Sequence, residues 1–213
     1  HPDDETLGCG GTLLKYQSLG YKIYWIIITT AENNVEFKKS FIKSRQIEIK
    51  KVSKKFGFKN TFELGFPTKK LDTIPMDHLV NSVSKVLSKI RPEEIFLNFG
   101  NDIHTDHQIC YKAVTSATKS FRAKYVKKIL LYETLSETHY QLPNSDKSFN
   151  PNYFVDITKF IKKKCEIMKI YKSEIMEHPE PRSIDSIYNL AKFRGSRCMS
   201  NFAESFICIF HKS

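Results

Sequence analysis

Residues 21–29 read YKIYWIIIT, a run of β-branched and aromatic residues that is nearly all apolar toward its end. A run of this composition is typical of a central strand that is covered on both faces. The segments EIFLNF at 94–99 and KILLY at 128–132 predict two further strands, and shorter strands are predicted at 61–64 and 204–210. Together these segments predict the strands of a buried sheet.

Helical patterns lie between these strands along the chain. Residues 36–56 place apolar side chains at helical spacing, and Gly57 provides a C-terminal stop. Residues 75–90 carry leucine, valine and isoleucine on one helical face. The polar stretch at 139–152 predicts a surface loop. Further helices are predicted at 6–19, 105–121, 156–177 and 183–197.

The alternation of strand and helix predicts an α/β fold with a mostly parallel sheet and helices on both faces. The length of 213 residues predicts a single domain over residues 1–213. The loop at His1 would normally follow a strand, so we expect a first strand that precedes this residue. Because sheets of this type bind ligands beyond the carboxyl ends of their strands, functional residues are expected in the loops after the strands.

The composition, 40% hydrophobic and 27% charged, is that of a folded globular protein and excludes disorder for the bulk of the chain. The longest apolar stretch, at 23–28, is far shorter than the about 18 residues that cross a bilayer, so no transmembrane segment is predicted. No secretory signal pattern opens the sequence, and the five cysteines form no CxxC pair. We therefore expect a reduced, cytoplasmic protein with inert thiols.

The net charge is +11, from 34 basic and 23 acidic residues, and such a balance can favour an anionic partner. Lysine greatly outnumbers arginine, and the lysines are scattered along the chain. A basic nucleic-acid-binding protein would instead concentrate arginine and exposed aromatic residues on one face, so we expect no specific nucleic-acid partner. The lysine excess is compatible with an anionic small-molecule substrate.

Reactive side chains concentrate in two short segments, HPDDE at 1–5 and DIHTDH at 102–107. Both segments lie in predicted strand-to-helix loops. A hydrolytic zinc site needs about three protein ligands and one open position for water. Imidazole and carboxylate groups are suitable ligands, so we predict that His1, Asp4 and His107 bind one metal ion.

The remaining acids and the second histidine are the candidates for catalysis. Asp3 adjoins a predicted ligand and is the natural general base for a metal-activated water. His104 lies three residues before His107 at a helix start, so it faces the same side and is either a fourth ligand or a nearby acid. Asp106 can hold the His104 imidazole in one tautomer. A protonated His104 would then stabilise an oxyanion or protonate a leaving amine.

The two segments resemble the paired HPDDE and HxDH motifs of the PIG-L/LmbE-like family of zinc-dependent N-deacetylases. The similarity extends over nearly the whole chain, and the resemblance implies a Rossmann-like α/β fold. It also implies hydrolysis of an N-acetyl amide, typically on an N-acetylglucosamine unit. The other segments that match the family are SRQIE at 44–48, LGFP at 64–67, FVDI at 154–157, RG at 194–195 and AESF at 203–206.

The resemblance also implies roles for individual residues. It implies zinc on His1, Asp4 and His107, and it matches Arg45 to an arginine that contacts substrate. The family usually has an aspartate where this chain has Thr68, so the sugar contacts of this position are expected to differ. The resemblance matches Asp3 to a general base and His104 to an acid or oxyanion stabiliser. It matches Asp106 to the residue that orients this histidine.

Two further residues are candidates for substrate binding. Glu133 directly follows the predicted strand at 128–132 and is expected to point toward the same sheet edge as the two motif loops. Arg194 lies in the matched RG segment, with a structural ion pair as the alternative role. The remaining histidines have no matching partner in the sequence and are expected to be solvated or structural: His78, His139, His178 and His211.

These observations predict a metal-dependent hydrolase, with one zinc ion per chain, that removes acetate from an N-acetylated sugar conjugate. Two histidines and one carboxylate also suit Fe²⁺, so a non-haem iron oxygenase is the enzymatic alternative. The predicted α/β pattern and the extra base beside the ligands speak against that alternative. A family member that binds a sugar without turnover is the other alternative. The sequence does not define an oligomeric state.

Overall fold

The structure is a computed structural model that describes residues 1–140 and 148–213. Residues 141–147 of the predicted surface loop lie outside the described residues. The helices are α1 (Asp4–Ser18), α2 (Lys39–Phe56), α3 (Met76–Ile90), α4 (Thr105–Ala117), α5 (Ile161–Met168) and α6 (Ile184–Ser196). The strands are β1 (Tyr24–Thr30), β2 (Asn60–Pro67), β3 (Glu94–Asn98), β4 (Lys128–Tyr132), β5 (Tyr153–Asp156) and β6 (Ala203–His211). Two short 3-10 turns lie at Leu71–Thr73 and Thr138–Tyr140.

The predicted α/β class with mostly parallel strands is confirmed. Strand β1 pairs in parallel with β2, and β3 pairs in parallel with β4. Strand β6 pairs antiparallel with β4, and the four-stranded sheet has the order β3-β4-β6-β5. Within the described part of the chain, no helix is both long and apolar enough to pass through a bilayer.

The described residues form two compact units. Unit 1 contains His1–Pro67 and Phe154–Ser205, and unit 2 contains Thr68–Tyr153 and Phe206–Ser213. The expectation of one domain over residues 1–213 stays a prediction.

Unit 1 is built on the parallel pair β1–β2, with Tyr24 opposite Asn60 at the start of the register. Helix α1 packs against α2 and α5, and α5 packs against α6. The core includes the fully buried Val52 and Phe56 of α2. Helix α2 ends at Gly57, whose φ of 71° lies in the left-handed region that glycine adopts without steric cost, so the predicted C-terminal stop is confirmed.

Unit 2 is built on β3 and β4, which pair in register from Glu94 opposite Lys128 to Asn98 opposite Tyr132. Helices α3 and α4 pack against each other, and α4 also packs against β3. Leu130 of β4 is fully buried, as expected for a strand covered on both faces. The carboxyl end of β3 leads directly into the segment 102–107 at the start of α4, where the sequence places reactive side chains.

The predicted helix at 156–177 is wrong over most of its length, because only Ile161–Met168 is helical in this range. The Asp156 carboxylate accepts hydrogen bonds from the N–H and the hydroxyl of Thr158, at 2.8 and 2.6 Å, which favours a turn over a helix. The Ile157 N–H donates to the Phe202 carbonyl at 2.9 Å. Pairing with a segment distant in sequence therefore overrides the lysine-rich amphipathic pattern.

Helix α1 is broken at Cys9, whose φ of −140° and ψ of 15° are not helical. The N–H groups of Gly11 and Thr12, just after the break, donate to the Glu204 carboxylate at 2.8 and 2.7 Å. The Lys164 ammonium donates to Glu204 at 2.6 Å and to the carbonyl oxygen of Leu7 at 2.8 Å. A buried ion pair therefore satisfies the backbone groups that the break exposes.

Gly11 lies against the side chain of Ile157. A Cβ atom at this position would come within 2.7 to 2.9 Å of three carbon atoms of Ile157. Close packing between α1 and the segment after β5 therefore explains this glycine.

We expect Glu204→Gln to lower the free energy of unfolding by about 3 kcal/mol, because the change leaves the Lys164 charge buried without its anion. Urea unfolding of the variant and of the wild type measures the difference. Glu93→Gln is the matched control, since Glu93 pairs with Lys127 at 3.0 Å on the exposed surface, and it should change the value by less than about 0.5 kcal/mol. Equal effects of the two variants would contradict the structural role of Glu204.

The five cysteines should divide into two reactivity classes. Cys9, Cys110 and Cys165 are buried, whereas Cys198 and Cys208 are half-buried. Burial raises the pKa of Cys9 well above its ordinary value, with the nearby Glu204 charge as the next cause, and burial also raises the pKa of Cys165. A disulfide reagent should therefore label Cys198 and Cys208 in the folded protein at least about 100-fold faster than the other three. Mass spectrometry after timed labelling identifies the sites, and a Cys198→Ser/Cys208→Ser variant should lose the fast phase.

Candidate active site

The HPDDE segment lies in unit 1, where it forms the start of α1. Asp3 is the N-cap residue of this helix, and its carbonyl oxygen accepts hydrogen bonds from the N–H groups of Thr6 and Leu7 at 3.0 and 2.9 Å. Asp3 has a φ of 130°, a conformation that L-residues rarely adopt and that costs about 1–3 kcal/mol. The backbone N–H of His1 donates to the Asp4 carboxylate at 2.8 Å. The predicted general base is therefore held in a strained backbone conformation.

Glu5 stabilises this conformation from inside unit 1. Its carboxylate accepts hydrogen bonds from the Asp3 N–H at 3.0 Å, from the Thr6 hydroxyl at 2.5 Å and from the Tyr171 hydroxyl at 2.8 Å. Burial raises the pKa of Glu5, and burial with the nearby Glu5 charge raises the pKa of Tyr171 well above its ordinary value. Sequence reasoning assigned no role to either residue, since Tyr171 lies 166 positions beyond Glu5.

The Asp3 carboxylate is buried and faces an arginine that sequence reasoning also missed. The Arg182 guanidinium contacts Asp3 at 3.3 Å and donates to Glu174 at 2.7 Å. Burial is the main cause that raises the pKa of Asp3 well above its ordinary value, and the Asp4 charge is the second. No motif marks Arg182 or Glu174 in the sequence.

Arg45 of α2 is buried in unit 1, where its guanidinium bonds to protein groups on several sides. It donates to the Pro2 carbonyl at 2.8 Å and to the Ser173 hydroxyl at 2.9 Å, and it forms an ion pair with Glu174. These contacts give Arg45 a structural role in holding the loop before α1, and the predicted substrate contact stays a prediction. The predicted substrate residue Arg194 lies on α6, with its guanidinium carbon 5.4 Å from the ring centre of Phe193.

The DIHTDH segment lies in unit 2 at the start of α4. His104 is the N-cap residue, and its Nδ1 accepts a hydrogen bond from the Asp106 backbone N–H at 3.1 Å. In the neutral imidazole this bond places the ring proton on Nε2. The rings of His104 and His107 stack with centroids 5.0 Å apart, as the spacing of three residues predicts.

The Asp106 carboxylate connects α4 to the turn that follows Thr68. One oxygen accepts the Lys69 N–H at 2.7 Å, and the other accepts the Leu71 N–H at 3.2 Å. Asp106 therefore contacts His104 through its backbone N–H while its side chain fixes residues 69–71. This turn directly follows Thr68, for which substrate binding stays a prediction.

His107 is oriented by Asp102, to which sequence reasoning assigned no role. The His107 Nδ1 lies 2.7 Å from the Asp102 Oδ2, and both residues are buried. Because an ionised carboxylate only accepts hydrogen bonds, Nδ1 carries the proton and Nε2 presents a lone pair. Metal-binding histidines in proteins are held in this way. The imidazole and carboxylate groups of His1, Asp4 and His107 are donor types that fit zinc.

Glu133 follows β4 and is buried, and its carboxylate lies 2.9 Å from the Nε2 of His139. The His139 side chain is 43% exposed. His139 contacts Glu133 because the 3-10 turn at Thr138–Tyr140 brings its ring back to the strand end, and the expectation that His139 is solvated or structural stays a prediction. The predicted role of Glu133 in substrate binding stays a prediction.

The comparisons agree with the fold and the motifs. The family model described as "PIG-L: GlcNAc-PI de-N-acetylase" matches residues 1–118. A relative in Bacillus anthracis named "Probable N-acetyl-alpha-D-glucosaminyl L-malate deacetylase 2" is 22% identical over 186 residues, which are 82% of this chain and 78% of the relative.

Two solved structures have the same fold. The conserved protein TT1542 from Thermus thermophilus has a TM-score of 0.79 and 23% identity, with 100% of this chain and 93% of the other covered. The N,N'-diacetylchitobiose deacetylase from Pyrococcus horikoshii has a TM-score of 0.78 and 19% identity, with 98% and 80% covered. At these identities the likeness shows the fold.

The strain at Asp3 predicts an unusual response to glycine. Because glycine adopts positive φ freely, Asp3→Gly should be more stable than Asp3→Ala. Lys38 provides the matched pair, since it is the N-cap residue of α2 but has a φ of −67°. The advantage of glycine over alanine in the free energy of unfolding should be larger at position 3 than at position 38 by about 1 kcal/mol. Equal advantages in urea titrations would show that the Asp3 backbone is not strained.

Proposed function

This chain belongs to the PIG-L family, and on that premise we propose that it is a zinc-dependent amide hydrolase. The reaction is removal of an acetyl group from the amide of an N-acetylated sugar conjugate of the N-acetylglucosamine type. The substrate class is supported by the description of the family and by the names of the similar proteins. The observation that carries the proposal is the pair of motifs, in which buried hydrogen bonds hold the Asp3 backbone and orient the His107 ring.

We propose His1, Asp4 and His107 as the zinc ligands, with one ion per chain. Their support is the match to the family motif, the donor chemistry, and the His107 tautomer that Asp102 selects. A bound zinc ion would acidify a water molecule and polarise the acetyl carbonyl. Fe²⁺ has similar ligand preferences, so the metal content of protein purified without added zinc identifies the native ion.

Asp3 is the proposed general base. Its buried carboxylate accepts a proton from the attacking water, and it then returns this proton to the amine that leaves the acetyl group. Burial favours this proton uptake because it raises the pKa of Asp3. The ion pair with Arg182 at 3.3 Å holds the carboxylate before the reaction.

His104 is the proposed oxyanion stabiliser. Its Nδ1 accepts from the Asp106 backbone, so its Nε2–H is the donor that can stabilise the charge developing on the acetyl oxygen. This assignment favours hydrogen bonding over proton donation, because a neutral imidazole with one N–H has no proton to spare for the amine. Asp106 supports the assignment through its bonds to His104 and to residues 69–71.

The proposed substrate-binding residues are Arg45, Thr68, Glu133 and Arg194. The net charge of +11 supports an anionic group on the sugar conjugate. A cytoplasmic location is also proposed, because the five cysteines are odd in number, widely spaced and form no CxxC pair. A nucleic-acid-binding role and sugar binding without turnover are the alternatives, and neither would give acetate release.

The wild-type protein should release acetate from N-acetylglucosamine derivatives, and Asp3→Asn should lower kcat by about 10²- to 10⁴-fold with the bound metal retained. Asp77→Asn is the control, because Asp77 is exposed on α3 with 72% side-chain exposure, and its kcat should equal the wild-type value. Acetate release and metal content are measured on the same samples. Equal rates for wild type and Asp3→Asn would refute Asp3 as the base, and no acetate release by the zinc-loaded wild type from a panel of such derivatives would refute the activity.

A further inference from the structure

Thr138 lies in the 3-10 turn of unit 2, and its hydroxyl has only one direction in which to donate. The Thr138 Oγ1 accepts a hydrogen bond from the Thr134 N–H at 2.8 Å. It lies 2.6 Å from the Asp102 Oδ1, which as an ionised carboxylate oxygen can only accept. The hydroxyl proton therefore points at Asp102. Thr138 is 5% exposed and Asp102 is 0% exposed, so water does not compete for these positions.

This contact determines how Asp102 meets His107. One Asp102 oxygen is occupied by the Thr138 hydroxyl and the other faces the His107 Nδ1 at 2.7 Å. With one oxygen tied to Thr138, the carboxylate cannot rotate about its Cβ–Cγ bond without losing a buried hydrogen bond. The plane of the carboxylate, and with it the direction of the bond to His107, is thereby fixed.

Both partners of the contact between Thr138 and Asp102 are held in place by further hydrogen bonds. The Thr138 N–H donates to the Thr134 carbonyl at 3.0 Å, and the next residue, His139, bonds to Glu133 at 2.9 Å. Asp102 is held by α4, because the Gln108 side-chain amide donates to the Asp102 carbonyl at 2.7 Å. Thr138 therefore has a defined position relative to the start of α4 within unit 2.

We propose that Thr138 is a positioning residue for metal binding: through Asp102 it fixes the tautomer and the ring orientation of His107. The inference rests on the proposed function for the assignment of His107 as a zinc ligand. It adds a threonine, 31 positions beyond His107 in the sequence, to the groups on which zinc affinity depends. Partners of ligating histidines typically change metal affinity by about 10- to 100-fold when they are removed.

The experiment compares the zinc dissociation constants of variants by competition with a chromogenic chelator. Thr138→Val keeps the side-chain shape and removes the donor to Asp102 together with the acceptor of the Thr134 N–H, so it should weaken zinc binding by about 10-fold. Thr138→Ser restores the hydroxyl and should restore the affinity to within about 2-fold. Thr118→Val is the matched control, because Thr118 is also buried in unit 2 and donates to the Val114 carbonyl at 2.8 Å. This control should bind zinc as the wild type does.

A second measurement reports on His107 directly. In the metal-free wild type, ¹⁵N NMR of the ring should show the proton on Nδ1. In Thr138→Val a part of the population should carry it on Nε2. Asp102→Asn should shift the proton further toward Nε2, because its amide can donate to Nδ1. The wild-type spectrum tests the tautomer even if a variant does not fold.

The outcomes separate this inference from the proposed function. The role of Thr138 would be overturned if Thr138→Val bound zinc as tightly as the wild type, or if Thr138→Val and Thr118→Val lost equal affinity. It would also be overturned if the His107 ring proton of the wild type were on Nε2. Unchanged zinc affinity in His107→Ala would instead refute the zinc-ligand assignment, and the role of Thr138 with it. A weakened Thr138→Val with a normal Thr138→Ser supports the inference, whatever substrate the protein hydrolyses.

Discussion

The constraint on which the structure depends is that carboxylates buried in the protein must be met by donors. Glu5, Asp102 and Glu204 are each buried, and each accepts at least two hydrogen bonds from groups inside its own unit. The bonds to Glu5 and Glu204 satisfy backbone N–H groups at irregular points of the chain, namely the strained turn at Asp3 and the break in α1 at Cys9. The loops that carry the motifs are therefore positioned by charge as well as by apolar packing.

Much of the fold follows from local pattern. The sequence predicts a strand at 128–132, and β4 begins and ends there, because residues 129–132 form a continuous apolar run that is buried along its length. Helix α2 ends where Gly57 stops it. The prediction of a helix over 156–177 is wrong because the lysine-rich periodicity is a local signal. The hydrogen bond from Ile157 to Phe202, which keeps the start of this segment extended, joins residues that are distant in sequence. Tertiary pairing decides such segments.

The candidate site also contains residues that the sequence pattern reveals and residues that only the fold brings together. The residues of the two motifs are adjacent in sequence, so their types and spacing could be recognised without a structure. The residues that hold these side chains in place could not be recognised from the sequence. Arg182 contacts Asp3 from 179 positions away, and Thr138 contacts Asp102 from 36 positions away. An arginine or a threonine in isolation carries no chemical signature, and only the fold brings each one to its carboxylate.

The two contacts of Arg182, with the proposed base Asp3 and with Glu174, differ in length. The guanidinium lies 2.7 Å from Glu174 but 3.3 Å from Asp3, so Glu174 is its main anchor. The nearby Arg45 charge stabilises the Asp3 anion and so opposes the effect of burial on the pKa of Asp3. Arg45 in turn bonds to Glu174 and to the Pro2 carbonyl, which connects this anchor to the motif loop. The two arginines thus hold the loop that carries Asp3, the proposed general base, through Glu174 and the Pro2 carbonyl.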